Sequence, residues 1–345
     1  MQNTDFLLNQ AQSHSKELLK KEATIINEKL AVISEYATLL QKEHEAIFRN
    51  PKRFSLPNNE PNFAFSNTNV FYKTNKVGSS LYYSARTKIT QKERDKATFT
   101  EAMDVSLKNI VDINPLVVAT YFNSWDNMNR LYPFIDDVSA QYGPDVLISE
   151  YNFYYLADEK NNPEKKAVWT SAYLDPAGLG WMLSCIAPIY KDDFLEGVTG
   201  IDITIDSFVK NILNQELPYD GKIFIVDKEG MIIAMPEKIE ELLRLKELKE
   251  HSYTDSILKT IEKSQEFNIL KNNSFFNEKF KNLMENKSSF ETLDINDTNY
   301  IALAQNVDET NWKLIVLINK SNILESIEDL KKLSNKIGYL AIGFL

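Results

Sequence analysis

The sequence predicts an α+β fold in which a long N-terminal helix precedes two antiparallel-sheet modules, with a further helix at the C-terminal end. Two observations predict it: an apolar pattern of helical period over about 4–49, and two groups of short strand-like segments, over about 116–205 and 222–318. Strands that follow one another through short turns pair as antiparallel neighbours. The predicted segments are 1–50 for the first helix, 51–206 for the first module, 207–320 for the second and 321–345 for the last helix.

The composition excludes several classes of protein. With 345 residues, 43% hydrophobic and 26% charged, the chain has a globular composition and enough length for two domains. The formal net charge of -10 disfavours partners rich in phosphate, so no nucleic acid is expected. The single cysteine, Cys185, excludes a disulfide framework and a Cys-rich metal site. No cofactor is predicted.

The first helix carries two parallel heptad rows of apolar residues. One row is Leu19, Ile26, Ile33, Leu40 and Ile47, and the other is Leu18, Ile25, Val32, Leu39 and Ala46. A heptad pattern of this length is typical of a helix packed lengthwise against another element. Two partners remain open: a second copy of the chain, which predicts a homodimer through this helix, or the core of the same chain.

The run Gly197–Ile205 is the most informative strand. Because side chains alternate along a strand, Ile201 and Ile203 lie on one face and Asp202 on the other, together with Val198. A buried carboxylate needs a polar partner, since an unpaired buried charge is costly. That partner is either a neighbouring side chain or a ligand.

Aromatic residues are concentrated in the same module. Fourteen of the chain's 39 aromatics fall between positions 121 and 190. Rings beside a carboxylate suit a cationic ligand, whose ammonium group would pair with Asp202 and rest against Trp169, Tyr173 and Tyr121. In a strand over 168–173, Trp169 and Tyr173 share a face and would line one wall. The alternative is that these rings are core.

Three further residues are candidates for ligand contacts. Arg130 would supply a contact to a ligand carboxylate or pair with Asp126 or Asp136 on the surface. Asp175 is a further candidate. Tyr151 would lie at the edge of the pocket. Catalytic signatures such as a phosphate-binding loop or a nucleophile elbow are missing from the sequence, so no enzymatic activity is expected.

Four motifs resemble the double Cache (PDC-type) sensor domains of bacterial chemoreceptors, histidine kinases and diguanylate cyclases. They are Val168–Tyr173, Ser184–Tyr190, Gly197–Ile203 and, in the second module, Ile225–Gly230. The resemblance implies two PAS-like modules and a small-molecule site in the first, membrane-distal one. It also implies a region outside the cytoplasmic membrane, periplasmic or extracellular, anchored in the inner membrane by flanking transmembrane helices.

The resemblance also carries expectations for individual residues. In amino-acid-binding members, the Asp that corresponds to Asp202 accepts the amino group of the ligand, and an Arg-x-Trp-Tyr motif holds the ligand. The matching positions here are Ala167-Val168-Trp169-Thr170, which keep the Trp and lack the Arg and Tyr. A lysine nearby does not replace the bidentate arginine fork. A standard α-amino-acid ligand is therefore disfavoured.

The chain ends in an apolar run over 337–345, which is less than half the length of a membrane span. We interpret it as the start of a transmembrane helix; a hydrophobic helix docked on the core is the alternative. The whole pattern predicts a small-molecule sensor domain of a transmembrane receptor. The alternatives are an extracytoplasmic binding or adhesion module without signalling, a sensor for amino acids or carboxylates, and a hydrolase with an unfamiliar site.

Overall fold

The computed structural model describes residues 2–54, 63–213, 216–246, 256–271 and 278–342. The chain divides into two compact units. The first unit comprises Lys29–Phe208 with Leu248–Lys263. The second unit comprises Met1–Glu28, Val209–Glu247 and Ser264–Leu345.

Helices make up the ends of the chain and the edges of both units. The α-helices are α1 (Gln2–Arg49), α2 (Pro51–Phe54), α3 (Gln91–Phe99), α4 (Asp104–Ile113), α5 (Val138–Tyr142), α6 (Asn152–Tyr155), α7 (Ile205–Phe208), α8 (Glu237–Leu243), α9 (Glu278–Met284) and α10 (Lys320–Ile342). Short 3-10 helices cover Thr100–Met103, Ile148–Glu150, Pro218–Asp220 and Gln265–Phe267, and a π-helix covers Val209–Leu213.

Strands form one sheet in each unit. In the first unit they are β1 (Phe63–Phe65), β2 (Phe71–Lys73), β3 (Ser80–Tyr83), β4 (Ala119–Ser124), β5 (Met128–Tyr132), β6 (Val168–Trp169), β7 (Tyr173–Leu174), β8 (Trp181–Lys191) and β9 (Phe194–Thr204). In the second unit they are β10 (Lys222–Val226), β11 (Ile232–Ala234), β12 (Phe290–Ile295), β13 (Thr298–Val307) and β14 (Trp312–Asn319).

Both sheets are antiparallel, as the sequence predicts. The described strands of the first sheet run in the order β1-β2-β3-β5-β4-β9-β8-β6, with β7 also paired to β8. Those of the second run β11-β10-β14-β13-β12. The α+β prediction, with a long first helix and two sheet modules, is therefore confirmed.

The first heptad row of α1 is buried and belongs to the core of this chain. Leu19, Ile26, Ile33, Leu40 and Ile47 are each at most 3% exposed. The second row lies at the surface, where Val32 is 38% and Leu39 58% exposed. Packing within the chain thus accounts for one row and leaves the other uncovered.

Within the first unit, the two faces of the sheet are covered differently. On one face, Phe48 of α1 packs on Phe122 with ring centroids 5.3 Å apart, and the Thr120 hydroxyl donates to the Leu107 carbonyl of α4. On the other face lies a core cluster that includes Tyr121, Val198 and Met182. This division follows from the alternation of side chains along β4.

One segment departs from its predicted structure. The charge-rich sequence over 236–263 predicts a helix, but α8 ends at Leu243 and the described residues 256–263 are extended. Residues 247–255 lie outside the described residues. Glu262 forms an isolated bridge with Tyr173, and the Leu174 amide donates to the Ile261 carbonyl. Hydrogen bonds to the first unit therefore override the local helical preference of these residues.

The C-terminal prediction falls partly outside the described residues. The last helix ends at Ile342, and 343–345 are not described. In the part of the chain that the structure describes, no helix combines the length and the apolar character needed to cross a membrane.

Candidate functional site

A narrow cavity lies on the face of the first sheet that carries Asp202. Its wall contains two carboxylates, Asp202 and Asp175, and two amides, Asn123 and Asn129. Six rings complete most of the wall: Tyr82, Tyr121, Tyr142, Tyr151, Phe153 and Tyr173. The empty space is about 430 Å³ with the mouth included, but the centres of water molecules fit into only about 30 Å³ of it. The rings are thus closely packed around the acids.

Strand pairing places Asp202 beside two hydroxyl groups. Ser184 of β8 lies opposite Asp202 of β9, and its hydroxyl donates to Asp202 Oδ1 over 2.5 Å. The Tyr173 hydroxyl lies 2.6 Å from Ser184 Oγ. Because the Ser184 proton is used on Asp202, the Tyr173 proton is directed at Ser184. One oxygen of the carboxylate is thereby fixed from the protein side.

Gly200 makes room for the ring of Tyr121. The two residues are opposite each other in β9 and β4. A Cβ on Gly200 would lie 2.1 Å from Tyr121 Cζ and 2.2 Å from its hydroxyl oxygen. A glycine two residues before Asp202 on the same face is therefore needed for the ring to lie beside the carboxylate.

Asp175 is held by the turn that it begins. Its two oxygens accept hydrogen bonds from the backbone amides of Ala177, at 3.0 Å, and Leu179, at 3.1 Å. The side chain is only 5% exposed. The sequence predicts a turn over 175–178 and names Asp175 as a candidate, and the structure has the turn.

Both acids are strongly perturbed. Burial, and then the neighbouring Asp175, hold the pKa of Asp202 well above its ordinary value, against the opposing effect of the Ser184 and Tyr173 hydroxyls. Burial also raises the pKa of Asp175 to about 6, although its two backbone hydrogen bonds act in the opposite direction. None of the described residues that line the cavity is Lys, Arg or His. The cavity therefore holds two carboxyl groups without a cation to balance them.

Two further polar atoms of the wall lack a partner. The Tyr121 hydroxyl and Asn129 Oδ1 are buried and make no hydrogen bond to any described residue. Buried polar groups are usually satisfied, so such atoms in a cavity mark places where a ligand or water would bind. Sequence reasoning missed Asn129, because the strand pattern alone did not distinguish it from a surface residue.

The segment 256–263 is bonded to residues in and next to the wall of the cavity. The Tyr151 hydroxyl donates to the Ile257 carbonyl over 2.5 Å, and the backbone N–H of Asn152 donates to Thr260 Oγ1 over 2.6 Å. No local signal in the sequence links residues that are more than a hundred positions apart. The helical prediction for 236–263 directed attention away from this contact.

Five of the seven predicted site residues line the cavity, namely Asp202, Tyr173, Tyr121, Tyr151 and Asp175. Trp169 does not, and the prediction that it shares a wall with Tyr173 is wrong. The backbone leaves the strand between β6 and β7, which breaks the alternation. Trp169 pairs with Cys185, and its indole N–H donates to Ser34 of α1 over 3.0 Å. Its side chain thus lies on the helical face of the sheet.

The prediction of a ligand contact for Arg130 in this cavity is also wrong. Alternation along β5 directs Asn129 and Leu131 to the cavity and Arg130 to the opposite face. There its guanidinium is 0% exposed and donates to Thr100 Oγ1, Ser79 Oγ and the Ala97 carbonyl, 3.5 Å from Asp104. The arginine is a buried structural cation.

The site offers no metal centre. Among the residues that the structure describes, no group of three or more His, Cys, Asp or Glu side chains is placed to hold a metal ion.

Comparisons with known proteins identify the fold and the family. The ligand-binding domain of the Pseudomonas fluorescens chemoreceptor CtaA, solved with L-isoleucine, has a TM-score of 0.57 at 12% identity and covers 94% of this chain and 98% of that chain. That of Campylobacter jejuni Tlp3 with L-norvaline has a TM-score of 0.51 at 14% identity, covering 92% and 94%. The extracellular domain of the putative histidine kinase mmHK1S-Z3 has 0.52 at 15%, covering 92% and 97%.

Among curated proteins, the Rattus norvegicus voltage-dependent calcium channel subunit alpha-2/delta-2 is 25% identical over 93 residues, which are 24% of this chain. The match spans only 8% of that longer protein. A family model of the Cache domain matches residues 74–327, which is most of the chain. The chain therefore belongs to the Cache domain family.

Proposed function

We propose that this chain is the extracytoplasmic sensor domain of a bacterial transmembrane receptor, and that its first unit binds a small molecule carrying a protonated amine. The single observation that carries the proposal is the cavity charge: Asp202 and Asp175 are both buried there, and no cationic residue lines the described wall. Cache-family membership supports the sensor role.

An ammonium group would satisfy what the protein leaves unsatisfied. An ionised carboxylate in a low-dielectric cavity is costly without a partner, and this cost raises the pKa of Asp202. A ligand cation lowers that cost, and the faces of Tyr121 and Tyr173 attract it further. Asn129 Oδ1 would accept another N–H of the ligand. Asp202 and these rings together form the predicted amine subsite.

A ligand with its own carboxylate fits this wall less well. The similar domains of CtaA and Tlp3 were solved with L-isoleucine and L-norvaline. An α-amino acid brings a negative group, and a third carboxylate beside two others is repelled unless a cation balances it. Arg130, the nearest strand arginine, lies on the opposite face. An amine without a carboxylate is therefore the favoured class, and an amino acid is the alternative.

The size of the cavity limits the ligand. Space for the centres of water molecules is about 30 Å³, so the rings must separate before a ligand of several heavy atoms enters. Binding that moves Tyr151 and Phe153 would also move the elements that carry them. We propose this displacement as the origin of the signal.

The exposed row of α1 supports a homodimer as the signalling form. Leu39 and Val32 lie on the surface at heptad spacing with Leu18 and Ile25, which are half-buried. A long apolar row of this kind is typical of a helix that packs against a partner helix. We also propose that flanking transmembrane helices anchor the domain, with an output module beyond the sequence described.

Calorimetric titration and thermal shift test the proposal directly. The purified chain is titrated with n-butylamine, ethanolamine, agmatine and spermidine, with L-isoleucine and L-alanine, and with propionate. A ligand at about 100 times its Kd should stabilise the fold by about 2.7 kcal/mol. Asp202→Asn should weaken the best amine by about a hundredfold, since losing one partner of a buried charge pair costs about 2–5 kcal/mol.

The matched control is Asp206→Asn, which removes the same charge from an exposed position just after β9. It should leave amine binding unchanged. Propionate that raises the melting temperature while every amine leaves it unchanged would overturn the cationic assignment. Full amine affinity in Asp202→Asn would show that the site lies elsewhere.

A further inference from the structure

A second, open groove lies at the turns of the first unit. Its wall includes Trp125 from the β4–β5 turn, Phe194 at the start of β9, Tyr154, Tyr190 and Asp158. It shares no lining residue with the cavity of Asp202. The centres of water molecules fit into about 660 Å³ of it. The groove is thus roomy where the cavity is narrow.

Two large rings are exposed at its rim. Trp125 is 46% and Phe194 51% exposed, and their ring centroids lie 5.5 Å apart at an interplanar angle of 88°. Trp125 lies in the β4–β5 turn, and Phe194 directly follows the β8–β9 turn, where polar residues are the rule. Exposed apolar side chains in contact with each other mark binding surfaces more often than single ones do.

Tyr190 supplies a buried hydroxyl without a partner. The residue is 6% exposed, and its hydroxyl makes no hydrogen bond to any residue in the described part of the chain. Burial, and then Glu159 and Asp158, raise the pKa of Tyr190, so the ring lies near two acids of the groove. The β8–β9 register shifts by one residue between Ile189 and Tyr190. Such bulges commonly redirect a side chain next to a binding site.

The charges around the groove disfavour a charged ligand. Asp158, Glu159 and Asp193 line it and would repel an anion. The chain's own lysines already occupy ring faces: Lys165 Nζ lies 4.0 Å from the Tyr190 centroid and Lys96 Nζ lies 5.4 Å from that of Trp125. A cationic ligand would find these ring faces already paired with lysines and would meet Lys160 of the wall. Carboxylates accept hydrogen bonds from hydroxyl groups and a lysine donates to them, so such groups beside aromatic faces suit a neutral, polyhydroxylated molecule.

We propose that this groove binds a neutral saccharide ring, with the apolar C–H face of the sugar on Trp125 and Phe194 and a sugar hydroxyl on Tyr190 Oη. Carboxylates such as Asp158 would accept from further hydroxyls, and Lys160 would donate to them. The assignment is independent of the amine site. The ring belongs either to a free sugar or to a longer glycan, and both present the same chemistry to the groove.

Ligand-observed NMR with the full chain tests the assignment. The probes are D-glucose, D-galactose and N-acetyl-D-glucosamine, with maltotetraose and chitotetraose as glycan chains, each at about 10 mM, which detects a Kd near 1 mM. Saturation transfer to the C–H protons of at least one probe is expected. Equal affinity for a monosaccharide and its tetrasaccharide identifies a free sugar as the ligand. Tighter binding of the tetrasaccharide identifies a glycan.

Three variants of the groove and one of the Asp202 cavity separate the two sites. Trp125→Ala and Phe194→Ala should each weaken binding at least about tenfold, and Tyr190→Phe about fivefold, the effect of losing one hydrogen bond. Tyr190→Phe removes a hydroxyl that has no partner, so its melting temperature should match the wild type. Asp202→Asn should bind the saccharide normally, which distinguishes this result from failure of the amine site.

Two results would overturn the saccharide assignment. One is the absence of saturation transfer to every probe with the folded wild-type chain. The other is transfer that persists unchanged in both Phe194→Ala and Trp125→Ala. A tetra-arginine peptide that binds the groove where no sugar does would assign it to a cationic ligand and equally reject the proposal.

Discussion

The two sheets use one interior strand in different ways. In the first sheet, β9 lies between β4 and β8 and directs Asp202 into the core. In the second sheet, β14 lies between β10 and β13 and directs Ile315 and Leu317 into the core. The backbones provide the same kind of position. One sheet uses it for a carboxylate and the other for aliphatic side chains.

The surroundings of each position match its side chain. Asp202 has the Ser184 hydroxyl, an aromatic wall and free space beside it. Ile315 packs in a cluster whose described members are aliphatic, aromatic and thioether side chains, such as Phe224 and Met235. The fold therefore supplies a protected strand twice, and the side chains decide whether it becomes a site or a stabilising core. The comparison predicts that a carboxylate placed in the core of the second sheet destabilises the protein more than changes around Asp202 in the first sheet do.

The largest effect is expected from Ile315→Asp. A carboxylate placed in this apolar cluster is a buried charge, so we expect a loss of at least about 4 kcal/mol in unfolding free energy. Urea unfolding at pH 7, followed by circular dichroism, measures it. Ile315→Val, which removes one methylene, should cost only about 0.5–1.5 kcal/mol. An Ile315→Asp chain as stable as Ile315→Val would contradict the comparison.

A somewhat smaller effect is expected from the buried acids of the first unit as the pH changes. The folded state holds the Asp175 proton up to about pH 6, whereas the unfolded chain releases it near 3.8. The contribution of Asp175 to stability is therefore fully present below about pH 4 and is lost as pH rises to about 6, by about 3 kcal/mol in all. The raised pKa of Asp202 acts in the same direction.

Urea unfolding at a series of pH values tests this dependence against Asp175→Asn, in which the contribution should be missing. Other carboxyl groups titrate in both chains, so the difference between the two profiles is the quantity of interest. Parallel profiles between pH 4 and 6 would show that Asp175 titrates normally.

Gly200→Ala is expected to have an intermediate effect. Its Cβ would overlap the Tyr121 ring, and overpacking in a core typically costs about 1–3 kcal/mol. The displaced ring should also lower amine affinity about tenfold. Gly221→Ala in the second unit is the control, because its Cβ would lie no closer than 3.2 Å to Leu217. Calorimetry of both variants decides whether the tight contact or the loss of glycine itself matters. Equal amine affinities in Gly200→Ala and Gly221→Ala would show that the contact with Tyr121 does not control binding.

Local patterns in the sequence predicted the features that depend on a regular helix or strand period. The heptad row of α1 and the alternation over 197–205 both depend on a fixed helix or strand period. They correctly predicted the long helix α1 and the position of Asp202 on the face opposite Ile201 and Ile203, but they left open whether the row of Ile33 packs on this chain or on a second copy. The antiparallel order followed because consecutive strands are joined by short turns.

The remaining errors arise where the period is interrupted or the contact is distant. The chain leaves the strand between Trp169 and Tyr173, and these two side chains then occupy opposite faces of the sheet. The face on which Arg130 lies depends on how β5 pairs with β4. The sequence of β5 alone did not reveal this pairing. The segment 256–263 is extended because it bonds to residues near 150 and 173, a tertiary cause without a local signature.

The smallest effect is expected where that extended segment supports the cavity wall. Thr260 Oγ1 accepts a hydrogen bond from the backbone N–H of Asn152 at the start of α6, next to Phe153 of the wall. Thr260→Val removes this acceptor at nearly constant volume and should cost about 1 kcal/mol, while Thr260→Ser retains it. Faster amide hydrogen exchange over 152–155 in the Val variant alone, with a two- to fivefold weaker amine affinity, is the expected result (about 0.5–1 kcal/mol). Exchange that is equal in both variants would mean that the segment contacts the wall of the cavity without holding it in place.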